Sequence, residues 1–403
     1  MKILWLAPWP HPLDTDAHPV PWVRALADLL CQQPGVEITV LHWTAKIGVP
    51  VEEFARDGIQ FIYLKVPSVR VDILTLYQRR IALVRAYLGR HARHYDLLHL
   101  HGSELQLPAM TAGLPLPQLL TVQGLVSQYP PFVPQAVSWL KVLWTLAGYY
   151  ERRYLPAIHH FSCRTHWDQA LVRQLSPGCT VYHNWEVIRP EFFRPLRPTP
   201  AVSRPQVLFM GGTQVMKGFR EVLAALDLVR QQVDVRLVIA GQASAAEVQA
   251  AAQQAGLRHV GPADVVCRGP LSAAELVQLF GESQCLLHPS YVDNSPNSVC
   301  EAQVAGLPVV AADVGGVRSL VEDGTTGLLS TLAPASIAQQ VLRLLEDATL
   351  GARLAAQAAA VARARHDPAL IVARTMATYH AVLSAFHHSP TPVNSPPMLD
   401  FEA

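Results

Sequence analysis

One stretch fixes the architecture of everything near it. Cys285 to His288 is a short apolar run with the composition of a buried strand, and it breaks at Pro289-Ser290 into a polar loop. A short helix is predicted from Pro296 to Ala305, with Ser295 as N-cap and Pro296 at the first helical position, where its missing N–H is no loss. Gly306 ends that helix, Pro308 prevents its resumption, and Val309 to Ala312 forms the next strand. The same strand–helix alternation runs through both halves of the chain. It predicts an α/β protein with two doubly wound, Rossmann-like parallel sheets facing a cleft.

The start of helix 296–305 carries chemistry. The N–H groups of Asn297 and Ser298 lack intrahelical partners, and the helix dipole is positive there, which suits phosphate. Asp293 in the loop and Glu301 on the helix stand eight positions apart. One carboxylate near each end of a bound diphosphate can accept hydrogen bonds from sugar hydroxyls.

Taken together, P-S-x-x-D-N-S-P-N-S-x-x-E-A from Pro289, then G-L-P-V-V-A, D-V-G-G and E-D-G-x-T-G-L-L, is similar to the signature of family 4 retaining glycosyltransferases. That resemblance implies the GT-B fold and sugar transfer from a nucleoside diphosphate-sugar to a hydroxyl acceptor, with retention and without a metal or other cofactor. The family pattern has two glutamates, and Asp293 stands for the first. By the resemblance, Asp293, Ser295, Asn297 and Ser298 face the donor sugar and diphosphate, and Glu301 holds the ribose. Pro296 stands where the family often has glycine, so it offers no N–H. Lys217, followed by Gly218 after the Gly211-Gly212 turn, matches a lysine that holds the diphosphate. The arginine usual five positions earlier is Gly212 here. Arg268 falls where the family contacts the base. Gly315-Gly316 is read as a turn that lets backbone approach the ligand.

The first half carries the acceptor side of the resemblance. Strands are predicted at 2–8, 37–43, 61–66, 97–102 and 119–124, with helices at 23–32 and 73–94. The family's usual Gly-Gly pair is absent from the loop after the first strand. Asp14-Thr15-Asp16 and His18 stand there instead, read as an acceptor-contacting loop or a solvated turn, with a D-x-D metal site as the weaker alternative. His99 and His101 share a strand face, as core, cleft-lining or metal-binding residues. Gln123 replaces a histidine that faces the donor sugar in many relatives; it can donate and accept hydrogen bonds but cannot take a proton. Arg164, at a strand's C-terminal end, is expected to meet an acceptor or phosphate, or to pair with Asp168 or Glu186.

Length and composition set the rest. A chain of 403 residues exceeds one ordinary core. The predicted division is an acceptor-side domain at 1–194, a proline-rich linker at 195–205, a donor-binding domain at 206–366, a helix at 367–386 returning to the first domain, and a disordered tail at 387–403. A net charge of +1 gives no nucleic-acid footprint. Six cysteines without C-x-x-C spacing fit buried thiols in a reducing, cytoplasmic setting. Prolines 8, 10 and 12 cut the first apolar run too short for a signal peptide. No stretch is expected to reach the roughly 20 apolar residues that span a bilayer. The aromatic segment 133–150 is expected to be an amphipathic helix, packed on the first domain or touching a membrane surface. The competing functions are a nucleotide-sugar epimerase of the same fold and a non-catalytic relative that only binds.

Overall fold

The computed structural model describes residues 1–15, 20–133, 138–196 and 204–388. The chain divides into two units. The first takes Met1–Pro131 and Gln135–Val187 with the chain from Pro368 on; the second takes Ile188–Asp367 with Phe132–Pro134.

The first unit is built on eight strands: β1 (Lys2–Leu6), β2 (Glu37–Thr44), β3 (Val51–Arg56), β4 (Ile59–Lys65), β5 (Leu97–His101), β6 (Gln118–Thr121), β7 (His160–Cys163) and β8 (Thr180–His183). Their order is β3-β4-β2-β1-β5-β6-β7-β8, parallel throughout except for β3 against β4. Residues 3–6 of β1 are all fully buried, as a strand covered by helices on both faces must be. The sheet reverses its winding between β1 and β5.

The second unit has six parallel strands: β9 (Gln206–Phe209), β10 (Arg236–Ala240), β11 (Val265–Gly269), β12 (Leu286–His288), β13 (Val309–Ala312) and β14 (Leu328–Ser330), in the order β11-β10-β9-β12-β13-β14. Here the winding reverses between β9 and β12. Loops leaving neighbouring strands at such a reversal diverge and open a crevice at the strands' C-terminal ends.

Several expectations change. The 73–94 helix is two helices, Val69–Leu74 and Gln78–His91. Leu76 and Tyr77 between them take positive φ values of 49° and 65°. Tertiary contacts hold that break: Tyr150 Oη donates to the Leu76 carbonyl at 2.5 Å, and the buried Arg80 guanidinium meets Asp72 at 2.9 Å. β3 was not expected. It turns into β4 through Asp57-Gly58, whose φ values of 52° and 78° match the mirror-image turn that suits strand twist. The aromatic helix begins at Trp139, where Ser138 Oγ accepts from the Lys141 N–H at 3.1 Å.

The division between units also falls earlier than 194, because Arg189 and Phe192 pack within the second unit: Arg189 pairs with Glu301, and Phe192 lies 5.4 Å from Phe280. Of the expected linker, 197–203 lie outside the described residues, as do 389–403 of the expected tail. Ala348–His388 is long and apolar enough, by length and composition alone, to cross a membrane. It is two helices, Ala348–Arg365 and Pro368–His388. The first buries Leu354, Ala358 and Ala362 in the second unit; the other buries Ile371, Thr375 and Tyr379 in the first.

Candidate active site

The reversal between β9 and β12 gathers the expected donor residues. The loop after β9 descends through Gly211 and Gly212 into a turn at Val215–Lys217. Gly218 follows with φ 83°, and a Cβ there would sit 2.0 Å from the Pro289 carbonyl oxygen. Only glycine lets the two loops pass this closely. The crossing places Lys217 Nζ 2.7 Å from Asp293 Oδ2. Behind that carboxylate, His288 Nε2 lies 3.3 Å and Ser290 Oγ 3.4 Å from the same oxygen, while Oδ1 accepts from the Asn294 N–H at 3.0 Å. His288 Nδ1 in turn lies 3.4 Å from Ser298 Oγ, so a polar chain runs from Lys217 to the first turn of the next helix.

Charge follows geometry. Burial alone pushes the Asp293 carboxyl upward, but Lys217 and His288 outweigh it and hold it well below the usual carboxylate range. Burial lowers His288, against the pull of Asp293. Asp293 is therefore an acceptor at any ordinary pH.

The helix runs Asn297–Ala305, one residue shorter than predicted. Pro296, not Ser295, is its N-cap: its ψ of 116° is extended, and its carbonyl accepts the N–H groups of Val299 and Cys300 at 3.0 and 3.2 Å. No side chain caps this end. The Asn297 and Ser298 N–H groups begin the helix, and the buried Asn297 Oδ1 has no hydrogen-bond partner. Gly315-Gly316 does approach closely, but to the protein itself. Gly316 N–H donates to the Asp293 carbonyl at 2.9 Å, and a Cβ on Gly315 would lie 2.1 Å from that oxygen. The pair fixes the Asp293 loop.

Glu301 lies four residues past Asn297, so it shares that helical face about 6 Å along the axis. Its Oε1 accepts from Arg189 Nε at 3.0 Å and Nη2 at 2.7 Å. Sequence reasoning missed Arg189, which belongs to a segment more than a hundred positions away. Arg268 is exposed on β11, the sheet's outer strand, so β10 and β9 separate it from the Lys217–Asp293 cluster.

The first-unit candidates form a separate group. Arg164 is buried. Its Nη2 donates to Gln123 Oε1 at 2.8 Å, its Nε lies 3.5 Å from Glu186, and its backbone N–H reaches Asp168 at 2.9 Å. Of the alternatives, the side chain takes Glu186 and the backbone takes Asp168. Arg164, Gln123 and Glu186, with His101, Asn184 and Ser162, line a cavity of about 30 Å³, room for a water or two. His99 engages both ring nitrogens, with Tyr379 Oη at 2.8 Å and Thr121 Oγ1 at 2.7 Å, and burial lowers it to about 3. It is a core histidine, with no nitrogen left for a metal. Asp14 pairs with Lys46 at 3.1 Å; Asp16 and His18 lie outside the described residues. Glu104, also missed, is pushed up to about 7 by burial and by nearby Glu151, against backbone N–H groups that favour its charge.

Three comparisons with known proteins bear on this geometry. Residues 204–347, which span the whole Lys217–Asp293–Glu301 arrangement, match the family model described as glycosyl transferases group 1. The chain carries a group 1 glycosyltransferase domain. Among curated proteins, a D-inositol 3-phosphate glycosyltransferase of Xylanimonas cellulosilytica is 34% identical over 168 residues, covering 40% of this chain and 39% of that protein. An alpha-D-kanosaminyltransferase of Streptomyces kanamyceticus is 31% identical over 168 residues, covering 41% and 42%. The chain thus spans about two fifths of the length of these curated relatives. Among solved structures, sucrose-phosphate synthase from Thermosynechococcus elongatus superposes with a TM-score of 0.75 at 19% identity, over 95% of this chain and 99% of that one. Anabaena HepE in complex with UDP-glucose gives 0.67 at 18%, over 94% and 100%. The fold around the group 1 domain is GT-B.

Proposed function

We propose that this chain moves a hexosyl group from a nucleoside diphosphate-sugar to a hydroxyl acceptor, with retention at the anomeric carbon. One observation carries the reading: a lysine, an uncapped helix start and a buried carboxylate one turn along the same face meet at the β9/β12 reversal. A diphosphate at the Asn297 and Ser298 N–H groups lies beside Lys217. The ammonium has three donors, so Asp293 takes one and the others serve phosphate oxygens. The attached ribose then falls toward Glu301. A UDP-glucose complex of the structurally similar Anabaena HepE supports a donor of this class.

Bond changes balance within the substrates. The bond from the anomeric carbon to the phosphate oxygen breaks, the acceptor oxygen bonds to that carbon on the same face, and the acceptor's proton passes to the leaving phosphate. Lys217 and the two N–H groups stabilise the charge that develops there, the largest catalytic contribution expected. Asp293 positions the sugar rather than attacking it, since Lys217 holds Oδ2 and the Asn294 N–H holds Oδ1. Ser295 and Gly211-Gly212 shape the donor pocket, Gln123 is assigned to the donor sugar, and Arg164 to the acceptor side. The charge these residues supply needs no metal, and activity is expected to survive excess EDTA.

Titration calorimetry with UDP, GDP and ADP tests the donor site. One nucleotide should bind wild type, and Lys217→Ala and Glu301→Ala should each weaken it tenfold or more. A folded wild type that binds none of the three would overturn the reading.

Two finer readings accompany it. Six free cysteines, three of them buried, fit a cytoplasmic protein. The segments 66–95 and 138–154 fit a peripheral contact with an anionic membrane surface. They meet at Tyr150 and expose Val69, Leu74, Trp139 and Val142 together with Arg70, Arg79 and Arg152. Their acids, Asp72 and Glu151, are both buried. Sedimentation with phosphatidylglycerol vesicles, but not with phosphatidylcholine alone, and its loss in Leu74→Ser/Trp139→Ser, would bear this out. Equal recovery in the supernatant with both lipids would refute it.

A further inference from the structure

We propose that Arg189 is a positioning residue that sets ribonucleotide specificity: it fixes the Glu301 carboxylate so that it accepts from both ribose hydroxyls. The proposal rests on the donor-site reading above.

Glu301 is 4% exposed, and a carboxylate so enclosed needs a paired cation. Arg189 supplies one. The manner of pairing then matters. Nε and Nη2 converge on one oxygen, Oε1, at 3.0 and 2.7 Å. Two donors from a planar group onto a single oxygen fix where that oxygen lies and restrain the tilt of the carboxylate plane.

The arginine is itself held. Its guanidinium carbon lies 4.9 Å from the centroid of the Phe192 ring, and Phe192 packs against Phe280 in the core of the second unit. Pro190 follows directly, opening the short turn Pro190–Phe193. A ring-fixed backbone, an aromatic shelf and a fork of two donors thus determine where the Glu301 carboxylate points before any nucleotide arrives. Pre-organisation of this kind lowers the ordering cost of binding.

The consequence is specific. A site built to accept from two hydroxyls discriminates against a ligand lacking one, because the site's own polar group is then left short of a partner. A lysine at 189 would keep the charge but not the fork. Charge compensation alone is a structural role; orientation is a recognition role, and the ratio of ribo- to 2′-deoxynucleotide affinity separates them.

The experiment uses the full chain. Calorimetry gives affinities for UDP, GDP and ADP, and for the 2′-deoxy counterpart of whichever binds tightest, with wild type, Arg189→Lys and Arg189→Ala. Thermal melting without ligand runs in parallel. Wild type should favour the ribonucleotide about tenfold or more. Arg189→Lys, with melting close to wild type, should bring that preference to about threefold or less, chiefly by weakening the ribonucleotide. Arg189→Ala should do the same or unfold, and in the latter case Arg189→Lys decides. A preference unchanged in Arg189→Lys, even with both affinities reduced, would make Arg189 purely structural and sink the proposal while sparing the donor site. No nucleotide binding to folded wild type would sink both.

Discussion

At the scale of single residues, the Lys217–Asp293 contact has a signature in acid. Asp293 is held below its ordinary value in the folded chain and reverts to about 3.9 on unfolding. Its contribution is therefore present above about pH 4 and is lost as pH falls through the folded value. Asp293→Asn should cost on the order of 1–2 kcal/mol at pH 7, a figure discounted because Lys217 is partly exposed. It should also flatten the decline of the urea midpoint between about pH 4 and 2, followed by a probe in the second unit. Gly218→Ala meets a harder obstacle. The new methyl would lie 2.0 Å from the Pro289 oxygen at a φ of 83°. A loss of at least about 2 kcal/mol is expected, together with weaker nucleotide binding, because the same crossing sets Lys217 beside Asp293. Lys217, Asp293 and Glu301 were legible because each sits in a short local pattern. Arg189 and Glu104 were not, because what makes them notable is a partner brought in from another segment.

The helix Asn297–Ala305 shows a conflict between stability and use. A side-chain cap would satisfy its first N–H groups, and Pro296 provides none. Pro296→Ser should stabilise the second unit by about 1 kcal/mol in chemical denaturation while lowering affinity for the nucleoside diphosphate, because the new hydroxyl competes for the donors the phosphate would use. Stability and affinity rising together would contradict that account. Elements were legible wherever an apolar run carried its own stop signals: β13 lies where the sequence placed it. The β3–β4 hairpin was missed although Asp57-Gly58 is a strong turn signal, because the exposed VEEFAR strand lacks an apolar stripe. The break at 75–77 has no local signal at all. Its sequence is helix-compatible, and it is set by Tyr150 from another helix.

For the molecule as a whole, the last described helix is a component of the first unit. Tyr379 is fully buried and hydrogen-bonds His99, and Asn184 Nδ2 donates to Ile371 O at 3.1 Å and Thr375 Oγ1 at 2.9 Å. Ending the chain at Asp367 would strand these polar groups in an opened core. A large loss of melting temperature is expected for the first unit, with the second unit's transition nearly unchanged; calorimetry that shows both falling together would refute the separation. The alternation of strands and helices was enough to read two parallel sheets. The place where one unit hands over to the other was misjudged by several residues, because Arg189 and Phe192 are assigned by their partners and not by composition.

The same return of the chain governs the order of events on the ribosome. The first unit is interrupted at Val187 and resumes at Pro368. About 180 residues must be synthesised in between, which at roughly 5–20 residues per second takes on the order of 10–40 s. Throughout that interval Tyr379 has not been made, so His99 and Asn184 wait without the partners that bury them. The second unit is complete before the first can close, and a nascent chain stalled near its end would present an open N-terminal sheet to chaperones.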